Sequence, residues 1–307
     1  MFNGVINVYK EPGFTSFDVV AKLRGIAKQK KIGHTGTLDP DAVGVLPVCL
    51  GRATKLCELL TDETKEYKAV LLLGRVTDTQ DTSGAVLEEH PVEVSEEELR
   101  RVVDSFRGEQ MQIPPMYSAL KVNGKKLYEL AREGKTVERK PRPVTFYELE
   151  IGEIRFPEVE LRVVCSKGTY IRTLCNDIGE KLGCGGCMAH LTRSRVGVFT
   201  LEETKTLAEL QELADQGRLS EAVLPVDRIF DDLPQFCTTR ESDAMAHNGN
   251  TLRTSNLEGA GERTWKQGEA IRVYDSEQTF VGIYERAKDG SRNCFRLKKM
   301  FYSPQEN

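Results

Sequence analysis

The pattern of hydrophobic and polar positions changes its period several times along the first 200 residues. An apolar run at residues 4–9 predicts a first strand, which a Pro-Gly turn ends. Residues 15–31 begin with a Ser/Thr cap, carry apolar positions at helical spacing and end in a basic turn, which predicts a helix. Residues 66–90 predict a strand, a turn rich in Asp and Thr, and a second strand. We interpret this pattern as an α+β fold of mixed sheets flanked by helices.

Two more helices are predicted by their end signals. Ser95 and Glu98 form a capping box for a helix that we expect to end at Gly108. Residues 159–183 predict a strand, a Lys-Gly turn and then a helix that a glycine closes. Both helices are expected to pack on the sheet that the strands form.

The C-terminal part of the chain follows a different pattern. Short strands separated by turns are predicted from residues 243–252 onward, after a break near residue 232. We therefore expect a large domain at residues 1–232 and a small β-rich module at residues 236–303.

Composition limits the class of protein. A chain of 307 residues with 39% hydrophobic and 29% charged residues is typical of a soluble globular protein. It contains no apolar run of the roughly 18 residues that a membrane span needs, so we expect no membrane insertion. The N-terminus lacks the basic and apolar segments of a secretory signal, and we expect a cytoplasmic protein.

Charge is distributed unevenly. The net charge of −4 counts against a protein that binds nucleic acid through bulk charge, although a local basic groove stays possible. Residues 121–142 carry eight Lys/Arg against three Glu, with Lys125, Lys126 and Arg132 among them, whereas residues 88–104 carry an acidic excess. Charge alone supports equally a solvated helix and loop and a positive flap that follows a phosphate backbone.

Eight cysteines are present, and a cytoplasmic chain of this length is expected to keep them reduced. The "CGGC" segment at residues 184–187 has the spacing of a metal or redox pair. A zinc site needs a second pair or nearby histidines, and His190 is the one obvious neighbour. We favour plain thiols and expect no metal site.

The glycine-rich stretch "GHTGTLDPDAVGVLPVCLG" at residues 33–51 is the strongest candidate for chemistry. It lacks the Lys-Ser/Thr end of a P-loop and the spacing of a dinucleotide-binding loop, so no nucleotide cofactor is predicted. Asp39 followed by Pro40 is typical of a helix N-terminus, with a helix continuing through residues 42–46. Such a turn would hold the Asp39 carboxylate rigidly.

Residues 33–56 resemble the catalytic motif of the TruB family of bacterial tRNA pseudouridine-55 synthases. Other segments resemble further motifs of this family in the family's order. They are the first motif, the tyrosine motif, the RNA-contacting insertion, the arginine motif and the segment after it, at residues 9–20, 65–84, 113–134, 165–183 and 191–197. The resemblance spans residues 1 to about 200, and the C-terminal tail resembles the family's PUA-like RNA-binding module more weakly.

The resemblance implies the pseudouridine synthase fold in residues 1–232, with an RNA-contacting insertion at about residues 115–145. It implies isomerisation of uridine 55 in the T-stem-loop of tRNA. The C1′–N1 bond breaks, the base turns over, and C5 is joined to C1′. No cofactor is expected, because the uracil ring supplies both attachment points. We expect a monomer.

The resemblance also assigns the catalytic residues. Asp39 matches the family's catalytic aspartate, which acts either as a nucleophile at C1′ or as a base at C2′. Arg172 matches the cation that keeps this carboxylate ionised. Tyr67 matches the tyrosine that packs against the uracil, and its hydroxyl is a candidate for the final proton removal from C5.

Further residues are implied to contact RNA. His34 matches the histidine that helps to hold the RNA open after the base has been flipped out, and its simpler role is to order its own loop. Tyr170 and Ser194 match positions that contact the substrate nucleotide. Lys10 matches a lysine that we expect to support the catalytic loop. The cations of residues 121–142 gain a role in closing on the T-stem-loop.

Two alternatives stay open. One, from another class, is an RNA-binding protein that helps tRNA to fold without catalysis, and the other is a synthase of this superfamily with another RNA target. The presence of Asp39, Tyr67 and Arg172 together favours catalysis.

Overall fold

A computed structural model describes residues 1–122, 124–289 and 292–303 of the chain. Residue 123 of the predicted insertion and residues 290 and 291 of the predicted C-terminal module lie outside the described residues. Among the helices of the described residues, none combines the length and apolar character needed to cross a membrane.

The described helices and strands alternate through most of the chain. The α-helices are α1 (Ser16–Ile26), α2 (Cys57–Asp62), α3 (Glu96–Asp104), α4 (Leu127–Arg132), α5 (Ile171–Lys181), α6 (Leu207–Asp215) and α7 (Asp243–His247). The first nine strands are β1 (Gly4–Lys10), β2 (Ile32–His34), β3 (Val43–Leu50), β4 (Lys65–Leu73), β5 (Arg75–Thr77), β6 (Val86–Glu89), β7 (Gly108–Gln112), β8 (Lys121–Val122) and β9 (Lys125–Lys126). The others are β10 (Arg142–Arg155), β11 (Glu158–Cys165), β12 (Gly186–Val196), β13 (Phe199–Thr200), β14 (Gln235–Cys237), β15 (Leu252–Arg253), β16 (Ala270–Tyr274), β17 (Phe280–Asp289) and β18 (Arg292–Met300).

A nine-stranded mixed sheet forms the centre of the molecule. Its strands lie in the order β1-β3-β12-β4-β11-β10-β7, with β2 added to β3 and β13 added to β12. The pairing of β12 with β3 is parallel, and the other pairs are antiparallel. A second sheet near the C-terminus has the order β14-β16-β17-β18-β15. The predicted α+β class with mixed sheets, helices and a β-rich C-terminal part is confirmed.

Alternation along β4 explains how the central sheet is covered. Tyr67, Ala69 and Leu71 lie on one face of the strand and belong to a buried cluster with residues of α3 and α5. A separate cluster joins β1 and β3 to α1 and α6. Burying apolar side chains against helices in both clusters makes the middle of the sheet a rigid support for the loops at its edge.

The predicted helix after Asp39 is wrong. Residues 39–42 form a loop, and β3 begins at Val43. Since β3 lies between β1 and β12 and seven of its eight residues are buried, its sequence is a continuous apolar run. Gly44 has a φ of 107°, and a Cβ there would lie 2.3 Å from the carbonyl oxygen of Arg193. Packing of β3 against β12 therefore overrides the local Asp-Pro signal.

Two other expected boundaries differ from the structure. The helix that begins after Ser95 ends at Asp104, and Gly108 opens β7 instead of ending the helix. Residues 243–247, expected as a strand, form α7. Ala244, Met245 and Ala246 are good helix formers, and so short an apolar run does not distinguish a helix from a strand.

Candidate active site

A cleft of 330 Å³ opens where the middle strands of the central sheet meet the loops at one edge. One wall is the loop at residues 36–39, and another is formed by residues 118–120. Tyr67 of β4 and Arg193 of β12 line the cleft between these walls, together with residues 168–172 at the start of α5. The cleft thus gathers side chains from five separate parts of the sequence.

Asp39 and Arg172 form a bidentate ion pair in this cleft. Arg172 Nε lies 2.9 Å from Asp39 Oδ2, and Nη2 donates to Oδ1 at 3.2 Å. The arginine side chain is 6% exposed and the aspartate side chain 41% exposed. A buried guanidinium therefore presents a partly exposed carboxylate to whatever occupies the cleft.

Arg172 has three further partners. Its Nη1 donates to the carbonyl oxygen of Thr79 at 3.0 Å and lies 3.4 Å from Asp81 Oδ2, while Nη2 donates to the carbonyl oxygen of Tyr117 at 2.8 Å. Arg172 lies in the first turn of α5, where the helix dipole disfavours a cation. Two carboxylates and two carbonyl oxygens stabilise it there.

Desolvation controls the carboxylate. The pKa of Asp39 is raised above its ordinary value, because the side chain is desolvated in the cleft. The charge of Arg172 lowers this pKa and the charge of Asp81 raises it. The charge of Arg172 therefore offsets only part of the rise in the Asp39 pKa that desolvation causes, whereas we expected it to offset the whole rise.

Tyr67 and Arg193 lie side by side on neighbouring strands. They are partners in the register of β4 and β12, and the charge of Arg193 acts on the Tyr67 hydroxyl. Arg193 is 1% exposed and also donates to the carbonyl oxygens of Val45 at 2.8 Å and Gly36 at 3.3 Å. Burial raises the pKa of Tyr67, and the charge of Arg193 opposes this rise.

Two buried lysines hold the backbone around the cleft. Lys10 Nζ donates to the carbonyl oxygens of Ala42 at 2.6 Å and Pro40 at 2.8 Å, directly after Asp39. Lys65 Nζ donates to the carbonyl oxygens of residues 61 and 63 at the start of β4. Burial lowers the pKa of each lysine to about 8. Lys10 lies where a lysine that supports the catalytic loop is expected.

The other predicted contact residues are placed unequally. Tyr170 lines the cleft and precedes α5. His34 ends β2, and its Nδ1 accepts a hydrogen bond from the Gly36 backbone at 3.3 Å, so the ring orders its own loop. Its pKa is lowered by burial and by the charge of Arg193. Ser194 directs its hydroxyl away to Glu66 Oε1 at 2.8 Å.

The predicted insertion forms a small separate unit. The two-residue strands β8 and β9 pair with each other, and α4 follows them. Lys126 Nζ lies 5.3 Å and the Arg132 guanidinium 5.4 Å from the centre of the Tyr128 ring, while Lys125 Nζ lies 3.3 Å from Glu133 Oε1. Lys125 and Arg132 are exposed to solvent.

Three polar residues of the site were missed by the sequence analysis. Arg193 and Lys65 line the cleft, and Asp81 shares Arg172 with Asp39. All three lie inside motifs that were used for the family resemblance. The alternation of side chains along a strand could have predicted Arg193 as a cleft residue. Leu191 and Arg193 both line the cleft, whereas Ser194, one position later, points in another direction.

The "CGGC" segment is not part of this cleft. Cys184 and Cys187 are both buried free thiols, and Cys187 is the second residue of β12. Burial raises the pKa of each thiol, which keeps both protonated.

Comparison with known proteins assigns the chain to a family. The N-terminal domain of TruB family pseudouridylate synthases matches residues 24–171, and the C-terminal domain of tRNA pseudouridylate synthase B matches residues 172–231. The tRNA pseudouridine synthase B of Lachnoclostridium phytofermentans is 54% identical over 97% of this chain and 99% of its own length. The chain belongs to the TruB family. The protein of the same name from Alkaliphilus oremlandii is 43% identical over 99% of this chain and 100% of its own length.

Solved structures agree with this assignment. A Cbf5-Nop10-Gar1 complex has a chain with 29% identity and a TM-score of 0.74, over 97% of this chain and 85% of that chain. An H/ACA RNP bound to a substrate RNA containing 2′-deoxyuridine has a chain with 26% identity and a TM-score of 0.73, over 98% of this chain and 86% of that chain. The resemblance found in the sequence is confirmed, and this TruB family member is an isomerase of the pseudouridine synthase class.

Replacing Arg172 with Gln should shift the pH dependence of pseudouridine formation. The family resemblance implies that the reaction uses Asp39 in its ionised form, and the charge of Arg172 lowers the pKa of this carboxylate. Loss of the charge raises that pKa further, so activity is lost at a higher pH as the medium is acidified. We expect kcat to fall about 10²-fold or more while the Kd for RNA changes little. Acid limbs that superimpose for wild type and variant, or equal losses in kcat and binding, would contradict the pairing.

Replacing Arg193 with Gln should reduce kcat about 100-fold, because the cation beside the Tyr67 hydroxyl is lost. Arg193→Lys keeps the charge and should recover most of this loss. Chemical denaturation of both variants gives their free energies of unfolding, which we expect to decrease alike. If the two variants are equally inactive, Arg193 acts through packing and not through its charge.

Proposed function

We propose that this TruB family member isomerises uridine 55 in the T-loop of tRNA to pseudouridine. The observation that carries the proposal is the carboxylate of Asp39, held by the buried Arg172 at 2.9 and 3.2 Å, in a cleft that Tyr67 also lines. Relatives at 54% and 43% identity over nearly the whole chain carry the name tRNA pseudouridine synthase B. The names of these relatives suggest tRNA as the substrate, and the residues that line the cleft suggest the chemistry.

The target uridine reaches Asp39 only after leaving the RNA stack. Tyr67 is 8% exposed and lies on the sheet at the base of the cleft, so a base stacked inside a stem does not reach it. Enzymes that act on a base extrude it into such a pocket, at a cost of a few kcal/mol. Stacking of the uracil on an aromatic ring offsets about 1–3 kcal/mol of this cost.

Glycosidic cleavage begins from the ionised Asp39. The carboxylate either attacks C1′ or removes the proton from C2′, and in both cases the C1′–N1 electron pair leaves with the uracil. The leaving uracil is an anion. Lys65 and Arg193 line the cleft as cations, and in the described part of the chain neither is paired with a carboxylate, so the cleft stabilises this anion.

Completion of the reaction requires the uracil to turn over and C5 to bond to C1′. In the first path the Asp39–C1′ bond breaks as this bond forms, and in the second path Asp39 returns the proton to C2′. C5 then loses its proton. The Tyr67 hydroxyl is proposed to accept that proton, directly or through water, while its own O–H proton passes through water to N1. The charge of Arg193 stabilises negative charge that develops on this oxygen. Uridine and pseudouridine contain the same atoms, so the proposed reaction uses no cofactor. We place the enzyme in the cytoplasm as a monomer.

We assign recognition of the T-stem-loop to the insertion at about residues 115–145. It begins at the cleft wall formed by residues 118–120 and carries exposed Lys and Arg side chains. RNA stems are recognised mainly through shape and backbone phosphates, which suits cations on a small separate unit. The β-rich part at residues 236–303 is proposed as a second, PUA-like RNA-binding module.

Replacing Asp39 with Asn should abolish pseudouridine formation in an unmodified tRNA transcript, with a rate loss of at least about 10³-fold. The variant keeps the shape of the side chain and loses its charge, so tRNA binding should persist. Asp41→Asn is the matched control, since Asp41 is exposed beside the same loop. Single-turnover assays with both variants measure the effect. A wild-type rate for Asp39→Asn would overturn the catalytic assignment and leave an RNA-binding function.

Replacing Lys125, Lys126 and Arg132 with Gln should weaken binding of a T-stem-loop hairpin. Loss of three phosphate contacts should reduce the slope of log Kd against log salt concentration by about 2–3. The control removes three charges from α3 and the turn after it, by replacing Arg100, Arg101 and Arg107 with Gln. An unchanged slope in the first variant would make the insertion a solvated surface without a role in binding.

A further inference from the structure

The outer surface of α1 and the segment that follows it carry a second concentration of positive charge. Residues 19–34 contain five Lys/Arg and no Asp/Glu, in a chain whose net charge is −4. All five are exposed, and we call them the α1 basic surface: Lys22, Arg24, Lys28, Lys30 and Lys31.

In the part of the chain that the structure describes, few carboxylates act on the α1 basic surface, and Asp18, one turn before Lys22, is one that does. Within the described residues, none of its five cations forms an ion pair; Arg24 donates a long hydrogen bond of 3.5 Å to the Ile32 carbonyl oxygen. The acidic helix α6 packs against α1, but Glu209 bonds to Thr206 and Asp215 to Gln211. Unpaired surface cations in this density attract a polyanion.

Aromatic rings accompany these cations. Phe17 is 64% exposed, and the Arg24 guanidinium lies 5.9 Å from the centre of its ring. Lys22 Nζ lies 5.0 Å from the centre of the Phe14 ring. A single exposed phenylalanine is ordinary on a protein surface, but an exposed ring flanked by cations matches the way in which unpaired bases and their phosphates are bound.

The α1 basic surface is connected to one wall of the cleft through β2. Strand β2 packs against α1 and connects Lys31 to His34, a distance of about 10 Å for three extended residues. His34 leads into the loop that forms one wall of the cleft, whereas the insertion begins at the wall formed by residues 118–120. The α1 basic surface and the insertion are therefore connected to two different walls of the same cleft.

We propose that the α1 basic surface binds the part of the tRNA that lies beside the T-stem-loop in the folded molecule, through phosphates and one unstacked base. This inference rests on the proposed tRNA substrate and adds a second contact to it. It distinguishes a whole tRNA from an isolated hairpin, because the hairpin has nothing to place on α1.

The test compares two RNAs on one variant of the full chain. Lys28, Lys30 and Lys31 are replaced with Gln, and Kd is measured by fluorescence anisotropy for an unmodified tRNA transcript and for its T-stem-loop hairpin. We expect the tRNA to bind about tenfold more weakly, with a salt slope lower by about 2–3, and the hairpin to bind within twofold of wild type. Equal losses for both RNAs, or no loss for either, would overturn the inference.

Two further variants complete the experiment. The control variant with Arg100, Arg101 and Arg107 replaced by Gln removes the same number of charges and should leave both Kd values unchanged. Phe17→Ala should weaken tRNA binding about tenfold without changing the salt slope, as expected for a lost stacking contact. Pseudouridine formation by the wild type is assayed in parallel. If none forms, the proposed function fails, while the two Kd values still decide the role of the α1 basic surface.

Discussion

The buried guanidinium of Arg172 is the constraint on which the rest of the site depends. Its partners lie 55 to 133 residues away in the sequence: Asp39, Asp81 and the carbonyl oxygens of Thr79 and Tyr117. A buried cation left without partners is strongly destabilising, so these segments are held in place wherever Arg172 is folded into α5. The carboxylate of Asp39 is thereby positioned by the fold itself.

The middle of the central sheet supplies the second half of the site. Strand β12 lies between β3 and β4, so Arg193 donates to the Val45 carbonyl oxygen on one side and is the register partner of Tyr67 on the other. Lys10 ties the loop after Asp39 to β1. The aspartate, the tyrosine and the cations that act on them are therefore fixed relative to each other before RNA binds, which is the condition for electrostatic stabilisation of a transition state.

The sequence predicted the features that nearby residues determine, such as helix starts, and the site residues that lie in a family motif. The caps at Thr15 and Ser95 act within four residues, and both helices start where expected. The Asp39-Pro40 helix failed because the choice was made by packing between β3 and β12, which no local signal reports. Arg193 was missed for a similar reason, since its direction depends on strand register. The positions of Asp39, Tyr67 and Arg172 in one cleft followed from motif resemblance, but their distances required the assembled sheet.

The most direct test of the account is a map of pseudouridine in unmodified cellular RNA after incubation with the wild-type protein and with Asp39→Asn. The account predicts new pseudouridine at position 55 of tRNAs with the wild type and at no site with the variant. Pseudouridine at other positions or in other RNAs, or the same map with Asp39→Asn, would contradict it.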